Sequence, residues 1–401
     1  MPKIKTIEYF RVLPRWLFVK VCDEQGEHGW GEATLEGHTQ AVEGCLDALR
    51  QRFVGYEADD IEHLWQTAYR LGFYRGGPVL MSALAGIDIA LWDLKARRLH
   101  VPLYQLFGGK VRHKVKVYAW IGGDRPRDVE AAAKERHAQG FRAIKMNATG
   151  DVDWLDSPRA LEASVERLKT VKALGMDAGL DFHGRIHKPM SKQLARALEP
   201  HHPLFIEEPL LSEHPEGIKQ LSLLTTIPIA LGERLYSRWD VKRFLHDTSV
   251  DILQPDASIE TTVYFALDLI TIMQISHCGG ISELRRIAAM AEAYDVAIAP
   301  HCPLGPIALA ACMQFAMATP NFAIQEMSLG IHYNVEAGDY DINNYVKDKS
   351  VWKVTNGYVE GPQGVGLGIE VDEEEVRQVA KTAPPWALKG FIGPDGSIRE
   401  W

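Results

Sequence analysis

The sequence predicts an α/β protein: a (β/α)8-type TIM barrel with an α+β N-terminal capping domain that the C-terminal tail completes. Three observations carry this prediction. From about Val115 onward, short apolar strands alternate with amphipathic helices eight times, the signature of a closed parallel barrel. The strands end in polar residues, at the face where barrel enzymes place their chemistry. Carboxylates at three successive strand ends recur at one interval, since Asp181 to Glu207 and Glu207 to Glu233 both span 26 residues.

Residues 1–120 form the expected capping domain. They mix short strands, "TIEYFRV" and "WLFVKVCD", with helical stretches such as "PVLMSALAGIDIALWDLKARRL", and Gly108-Gly109 punctuates the end. The barrel domain is expected over 121–344. Its strands read "VKVYAWI", "FRAIKMN", "DAGLDFHG", "PLFIEEP", "IPIALGE", "VDILQPD", "DVAIAPHC" and "FAIQEMS". The tail, 345–401, reads as turns plus a strand returning to the capping domain.

A chain of 401 residues can bury a large core and hold two domains. Apolar content of 46% and charged content of 24% are those of an ordinary globular protein. Acidic residues outnumber basic ones, 53 to 44, with no basic block, which argues against a nucleic-acid partner. The five cysteines lack CxxC spacing and fit free thiols in a reducing compartment. The opening "MPKIKTIEYFRVLPRW" has no apolar leader core. The apolar run at 261–276 is shorter than the ~20 residues a spanning helix needs. A cytoplasmic protein without membrane contact is expected.

The strand ends carry the chemistry. Asp181, Glu207 and Glu233 end neighbouring strands roughly 5 Å apart. Three carboxylates that close repel one another unless a cation lies among them. Hard oxygen donors without Cys or His point to Mg2+. His183 lies two residues beyond Asp181, on the same side of that strand, and His301 ends the seventh strand, opposite the third. Two imidazoles facing each other across a metal-bound substrate suit a general acid and a general base. Asp256, ending the sixth strand, is placed to orient His301 and raise its basicity. Glu326, ending the eighth, is placed to hydrogen-bond developing negative charge when protonated. Taken singly, each of these is as well explained by a solvated loop start; three acids in register are not.

The segments "LPRW", "GWGEATLEG", "FYRGGPVLMSALAGIDIALWDLK", "WIGGDRP", "GLDFHGR", "LEPHHPLFIEEP", "PIALGER", "ILQPD", "AEAYDVAIAPHCPLGPIALAAC" and "QEMSLGIHYN" resemble the enolase superfamily, in particular its mandelate-racemase-like branch. The resemblance covers nearly the whole chain. It implies a Mg2+-assisted elimination of water from a sugar acid, with D-galactonate the expected substrate and mannonate or gluconate the alternatives. Asp181, Glu207 and Glu233 would hold the ion. His301, sharpened by Asp256, would take the C2 proton, Glu326 would stabilise the resulting charge, and His183 would protonate the departing C3 hydroxyl. Racemases of the branch carry Lys-x-Lys at the second strand end. Here it reads Lys145-Met146-Asn147, which removes a second base and argues against racemisation, while Lys145 could still neutralise the substrate carboxylate. By the same resemblance Lys145, Asn147, Arg15, Trp16, Tyr74 and Arg75 are candidates for substrate binding. Besides the small sugar acid, self-association into a homo-oligomer is expected.

One interval breaks step, the 45 residues from Asp256 to His301. The resembling sequences run directly from "QPD-x-S" to "H-x-GG-I-[ST]-E". Here "QPDAS" and "HCGGISE" flank 18 extra residues, Ile259–Ser276. This stretch reads as an insertion, apolar for a surface loop, directly after Asp256 on the catalytic face. A folded relative disabled at Asp256 by that insertion is the second reading of function. The complete set of catalytic residues favours the enzyme.

Overall fold

The structure, a computed structural model, describes residues 2–122, 126–150, 152–255, 277–330, 334–387 and 390–400. Asp256 and the expected insertion, 259–276, lie outside the described residues.

The chain opens with an antiparallel sheet of β1 (Ile4–Val12), β2 (Trp16–Asp23) and β3 (His28–Glu32), in that spatial order. Helices α1 (Thr39–Phe53), α2 (Ile61–Arg70) and α3 (Pro78–Arg98) follow. Pro78 starts α3 at a position where no intrahelical N–H bond is lost, and Lys95, Arg97 and Arg98 in its last turn oppose the negative end of the helix dipole. From Met81 to Leu94 the helix is buried almost without a break, so it is packed on all sides rather than along one stripe. A Cβ on Gly31 of β3 would stand 1.9 Å from the Gly86 carbonyl oxygen of α3. Glycine there lets sheet and helix touch backbone to backbone.

Buried carboxylates tie this unit to the rest of the chain. Asp93 on α3 accepts from the N–H groups of Trp30 (2.9 Å) and Leu367 (2.8 Å). Asp88, one face away, accepts from the N–H (3.0 Å) and hydroxyl (2.5 Å) of Ser282. Glu32, ending β3, accepts from the N–H groups of Gly305 (2.9 Å) and Ala308 (3.0 Å). Burial pushes the Asp88 and Glu32 carboxyls up to about 7, and these donors oppose the shift.

Eight strands then follow: β4 (Val115–Trp120), β5 (Ala143–Asn147), β6 (Asp177–Asp181), β7 (Phe205–Glu207), β8 (Ile229–Leu231), β9 (Ile252–Leu253), β10 (Ala297–Ile298) and β11 (Gln325–Met327). Between them lie α4 (Pro126–Ala138), α5 (Glu162–Ala173), α6 (Lys188–Leu198), α7 (Pro215–Ser222), α8 (Arg238–His246), α9 (Gly280–Glu292) and α10 (Pro306–Ala318). Neighbours pair in parallel in the order β10-β9-β8-β7-β6-β5-β4-β11. The ring closes where Ile298 of β10 bridges Phe322, just before β11, with the Ile298 N–H on Asn321 O and the Ala323 N–H on Ile298 O, both at 2.8 Å. The barrel predicted by the alternation is the observed fold. Tyr118, Ala143, Phe205, Ala230, Ala299 and Ile324 pack together as a cluster separate from the main core, as side chains pointing into a small barrel do.

In the tail, β12 (Tyr358–Val359) pairs antiparallel with β4. Helix α11 (Glu373–Ala380) lies against the first sheet, with Glu373 2.6 Å from Lys20 and Arg377 3.2 Å from Glu8. The chain ends in a hairpin of β13 (Phe391–Ile392) and β14 (Ile398–Arg399). Among the described residues no helix is long and apolar enough to cross a membrane.

Candidate metal centre and active site

Parallel register sets the strand-end acids side by side. Asn147 of β5 pairs with Asp181 of β6, and Asp181 with Glu207 of β7. Glu233 comes from just past β8. Gly232 before it has φ 146°, and a Cβ there would stand 2.8 Å from the backbone of Gln254, so glycine lets the chain turn against β9. Asp181, Glu207, Glu233 and His301 each bring one ligand atom to within 4.8 Å of the others, and all four residues are buried.

These donors fit a metal ion. Neither oxygen of Glu233 has a hydrogen-bond partner among the described residues. Burial pushes Glu207 and Glu233 well above the usual carboxylate range, and the neighbouring acids push them further. Buried carboxylates in mutual repulsion are what a hard cation relieves.

Lys145, wholly buried on β5, binds the acids together. Its ammonium lies 2.6 Å from Glu207, 3.0 Å from Glu326 and 3.4 Å from Asp181. Burial disfavours the charge, but these carboxylates outweigh it and raise the pKa well above the ordinary value. Gln254 after β9 takes the other Glu207 oxygen at 2.8 Å, so Glu207 is held from both sides. Glu326 on β11 accepts from the Cys302 N–H at 3.0 Å. Burial raises its pKa, against the pull of Lys145.

The two histidines enter from turns, not from strands. β6 stops at Asp181, and His183 takes a left-handed φ of 51° while its N–H bonds Asp181 Oδ1 at 2.8 Å. A bulky residue in that conformation marks local strain. Its Nε2 lies 3.1 Å from Asp181 Oδ2, and Arg185 reaches Nδ1 at 3.0 Å. His301, beyond β10, points Nε2 at the acids: 3.3 Å from Glu326, 3.4 Å from Glu233 and 3.7 Å from Glu207. Burial, with Lys145 and His183 nearby, pushes its pKa well below the ordinary range.

The remaining expected residues are placed differently. Asn147 is buried at the site, its Oδ1 without a partner among the described residues. Arg15 is buried in an ion pair with Glu36, and its Nη2 donates to Pro303 O at 3.0 Å. Trp16 is a core residue of β2, edge-on to Tyr345. Tyr74 and Arg75 are exposed in the loop between α2 and α3. Asp256 lies outside the described residues. Arg185, Gln254, Glu208 and Arg234 were not singled out by sequence, although each lies inside a resembling segment. Arg234 donates to the His183 carbonyl at 2.9 Å, and Glu208 accepts from the Gly232 N–H at 3.0 Å.

Comparison with known proteins accounts for most of the chain. Residues 13–108 match the mandelate racemase / muconate lactonizing enzyme N-terminal domain, and residues 128–259 and 264–376 match the enolase C-terminal domain-like family. The chain belongs to the enolase superfamily. Among superfamily members, the D-galactonate dehydratase of Ralstonia pickettii (strain 12J) is 46% identical over 402 residues, covering 100% of both chains. An enolase structure from Agrobacterium radiobacter with bound Na and L-malate is 31% identical with a TM-score of 0.87, covering 100% of both chains. One from Pantoea ananatis with bound D-gluconate and Mg is 25% identical with a TM-score of 0.83, again over 100% of both. The buried acids of this enolase-superfamily chain thus sit in a fold two of whose members, those from Agrobacterium radiobacter and Pantoea ananatis, have a metal and a hydroxy acid bound.

Proposed function

We propose that the protein is a Mg2+-dependent sugar-acid dehydratase that converts D-galactonate to 2-dehydro-3-deoxy-D-galactonate. The observation that carries this reading is the buried cluster of Asp181, Glu207, Glu233 and His301, with His183 against Asp181. Full-length likeness to D-galactonate dehydratases supports the substrate. The free thiols of Cys22, Cys45, Cys278, Cys302 and Cys312 support a reducing, cytoplasmic setting.

Asp181, Glu207 and Glu233 would hold the ion, which when bound supplies positive charge for the substrate carboxylate and so acidifies the C2 hydrogen. Buried His301 is neutral, the form a base requires, and takes the C2 proton. Glu233, 3.4 Å from its Nε2, stabilises the imidazolium that forms. Glu326, with its raised pKa, donates a hydrogen bond to the charge developing on the substrate carboxylate. Burial holds His183 neutral at rest, with its pKa down at about 3. The negative charge that develops on the substrate raises its proton affinity, so His183 takes up a proton from solvent and, as the imidazolium, delivers it to the C3 hydroxyl, which leaves as water. The enol then tautomerises to the 2-keto acid. Lys145 keeps Glu207 and Glu326 in place throughout.

Incubation with D-galactonate, D-mannonate or D-gluconate and Mg2+, followed by measurement of 2-keto-3-deoxy product, tests the proposal. D-Galactonate is expected to give the highest kcat/KM. Absence of keto-deoxy product from all three overturns it.

A further inference from the structure

A cavity of about 470 Å3 lies beside the acids rather than among them. Its walls come from three distant parts of the chain: Asp153 and Trp154 after β5, Arg185 and His187 after β6, and Arg399 and Glu400 of the terminal hairpin. Exposed Trp154 stacks flat on His187, with centroids 3.5 Å apart and planes 8° apart. Arg399 ion-pairs with Asp153 and lies 3.6 Å from Asp395, which holds the hairpin against the barrel. Arg185 joins this cavity to the chemistry. Its Nη2 is on His183, while its buried Nε has no hydrogen-bond partner among the described residues.

We infer that this cavity is the subsite for the end of the sugar acid remote from the reacting carbons, and that it takes an uncharged polyol end in preference to a second carboxylate. The inference rests on the proposed dehydration. In that reaction C1 lies at the acids and C3 at His183, so C4 to C6 continue past His183 toward Arg185, which touches His183 and lines the cavity. The walls suit that segment. The stacked rings offer a flat apolar face to its C–H groups, and guanidinium and carboxylate groups supply donors and acceptors for its hydroxyls. Three carboxylates, Asp153, Asp395 and Glu400, stand against two guanidiniums, Arg185 and Arg399, and so repel a second carboxylate on the ligand.

Trp154 and Glu400 are both exposed, so replacing either leaves the core intact. Two ratios, each taken within one preparation so that any loss of folded protein cancels, test the inference. The first is kcat/KM for D-galactonate over that for a four-carbon 2,3,4-trihydroxy acid of the same C2 and C3 configuration. Trp154→Ala is expected to lower it about tenfold, because only the longer acid reaches the cavity. The second is kcat/KM for galactarate, whose C6 is a carboxylate, over that for D-galactonate. Glu400→Arg is expected to raise it about tenfold. If both ratios stay at their wild-type values in an active enzyme, the inference is overturned and the proposed function stands. A wild-type protein that dehydrates no acid sugar sinks both.

Discussion

Arg185 Nη2 lies 3.0 Å from His183 Nδ1, and this contact assigns the tautomer of the imidazole. A guanidinium only donates, so Nδ1 accepts and the ring hydrogen sits on Nε2, the nitrogen 3.1 Å from Asp181 Oδ2. The atom that would meet the leaving hydroxyl is thereby fixed before substrate arrives.

Removing that donor should release the choice. In Arg185→Met, 15N NMR of the His183 ring is expected to show both tautomers where the wild type shows Nε2–H alone. A drop in kcat on D-galactonate of about tenfold should accompany it, the usual scale for losing a group that orients a reacting histidine. A single unchanged tautomer in the variant would count against the assignment.

The same ring makes stability depend on pH. Burial, with Arg185 among the opposing cations, pushes the folded-state pKa of His183 down to about 3 from an ordinary 6.5. Between those values the unfolded chain binds a proton that the folded one refuses, so this contribution is lost as pH falls from about 6.5 toward 3. In EDTA, urea unfolding of His183→Asn should lose stability on acidification less steeply than the wild type, by about 1 kcal/mol per pH unit. Parallel curves for the two proteins would refute the shift.

Glu233 gives a test of the metal that does not depend on turnover. Buried, with neither oxygen hydrogen-bonded among the described residues and with the neighbouring acids opposing its charge, it destabilises the metal-free protein. Glu233→Gln is therefore expected to raise the stability of EDTA-treated protein by about 1–3 kcal/mol. It should also abolish the stabilisation expected from Mg2+ in the wild type, about 2.7 kcal/mol at a hundred times Kd, read as a rise in Tm. An Mg2+-induced shift that survives in the variant would remove Glu233 from the donor set.

The histidines should separate two half-reactions. His301→Asn is expected to stop both dehydration and exchange of the C2 hydrogen with deuterium from solvent. His183→Asn should stop dehydration while sparing exchange, since C2–H cleavage precedes loss of the hydroxyl. Each loss should be about 10²–10⁴-fold. Exchange that persists in His301→Asn would assign the base elsewhere.

Gly31→Ala should cost about 3 kcal/mol or more in urea unfolding. The added methyl would overlap the Gly86 carbonyl, which is backbone and cannot rotate away. Wild-type stability in this variant would show that the sheet and α3 can part without loss.

The sequence by itself determined the barrel and the acids. Alternation of short apolar strands with amphipathic helices admits few topologies, and parallel strands met in sequence are neighbours in space, so Asp181 and Glu207 fall in register. Their even spacing was enough to mark one face. What periodicity does not carry is where a side chain goes once its strand ends. Lys145 on β5 is tied up by acids from β6, β7 and β11, and Trp16 is core because Tyr345 folds back onto β2. His183 meets Asp181 through a left-handed turn, not through strand alternation. Arg399 reaches Asp153 across most of the barrel sequence. Lys145–Glu326, Trp16–Tyr345 and Arg399–Asp153 join residues far apart in the sequence, and only packing of the folded chain, which decides what is buried against what, selects them.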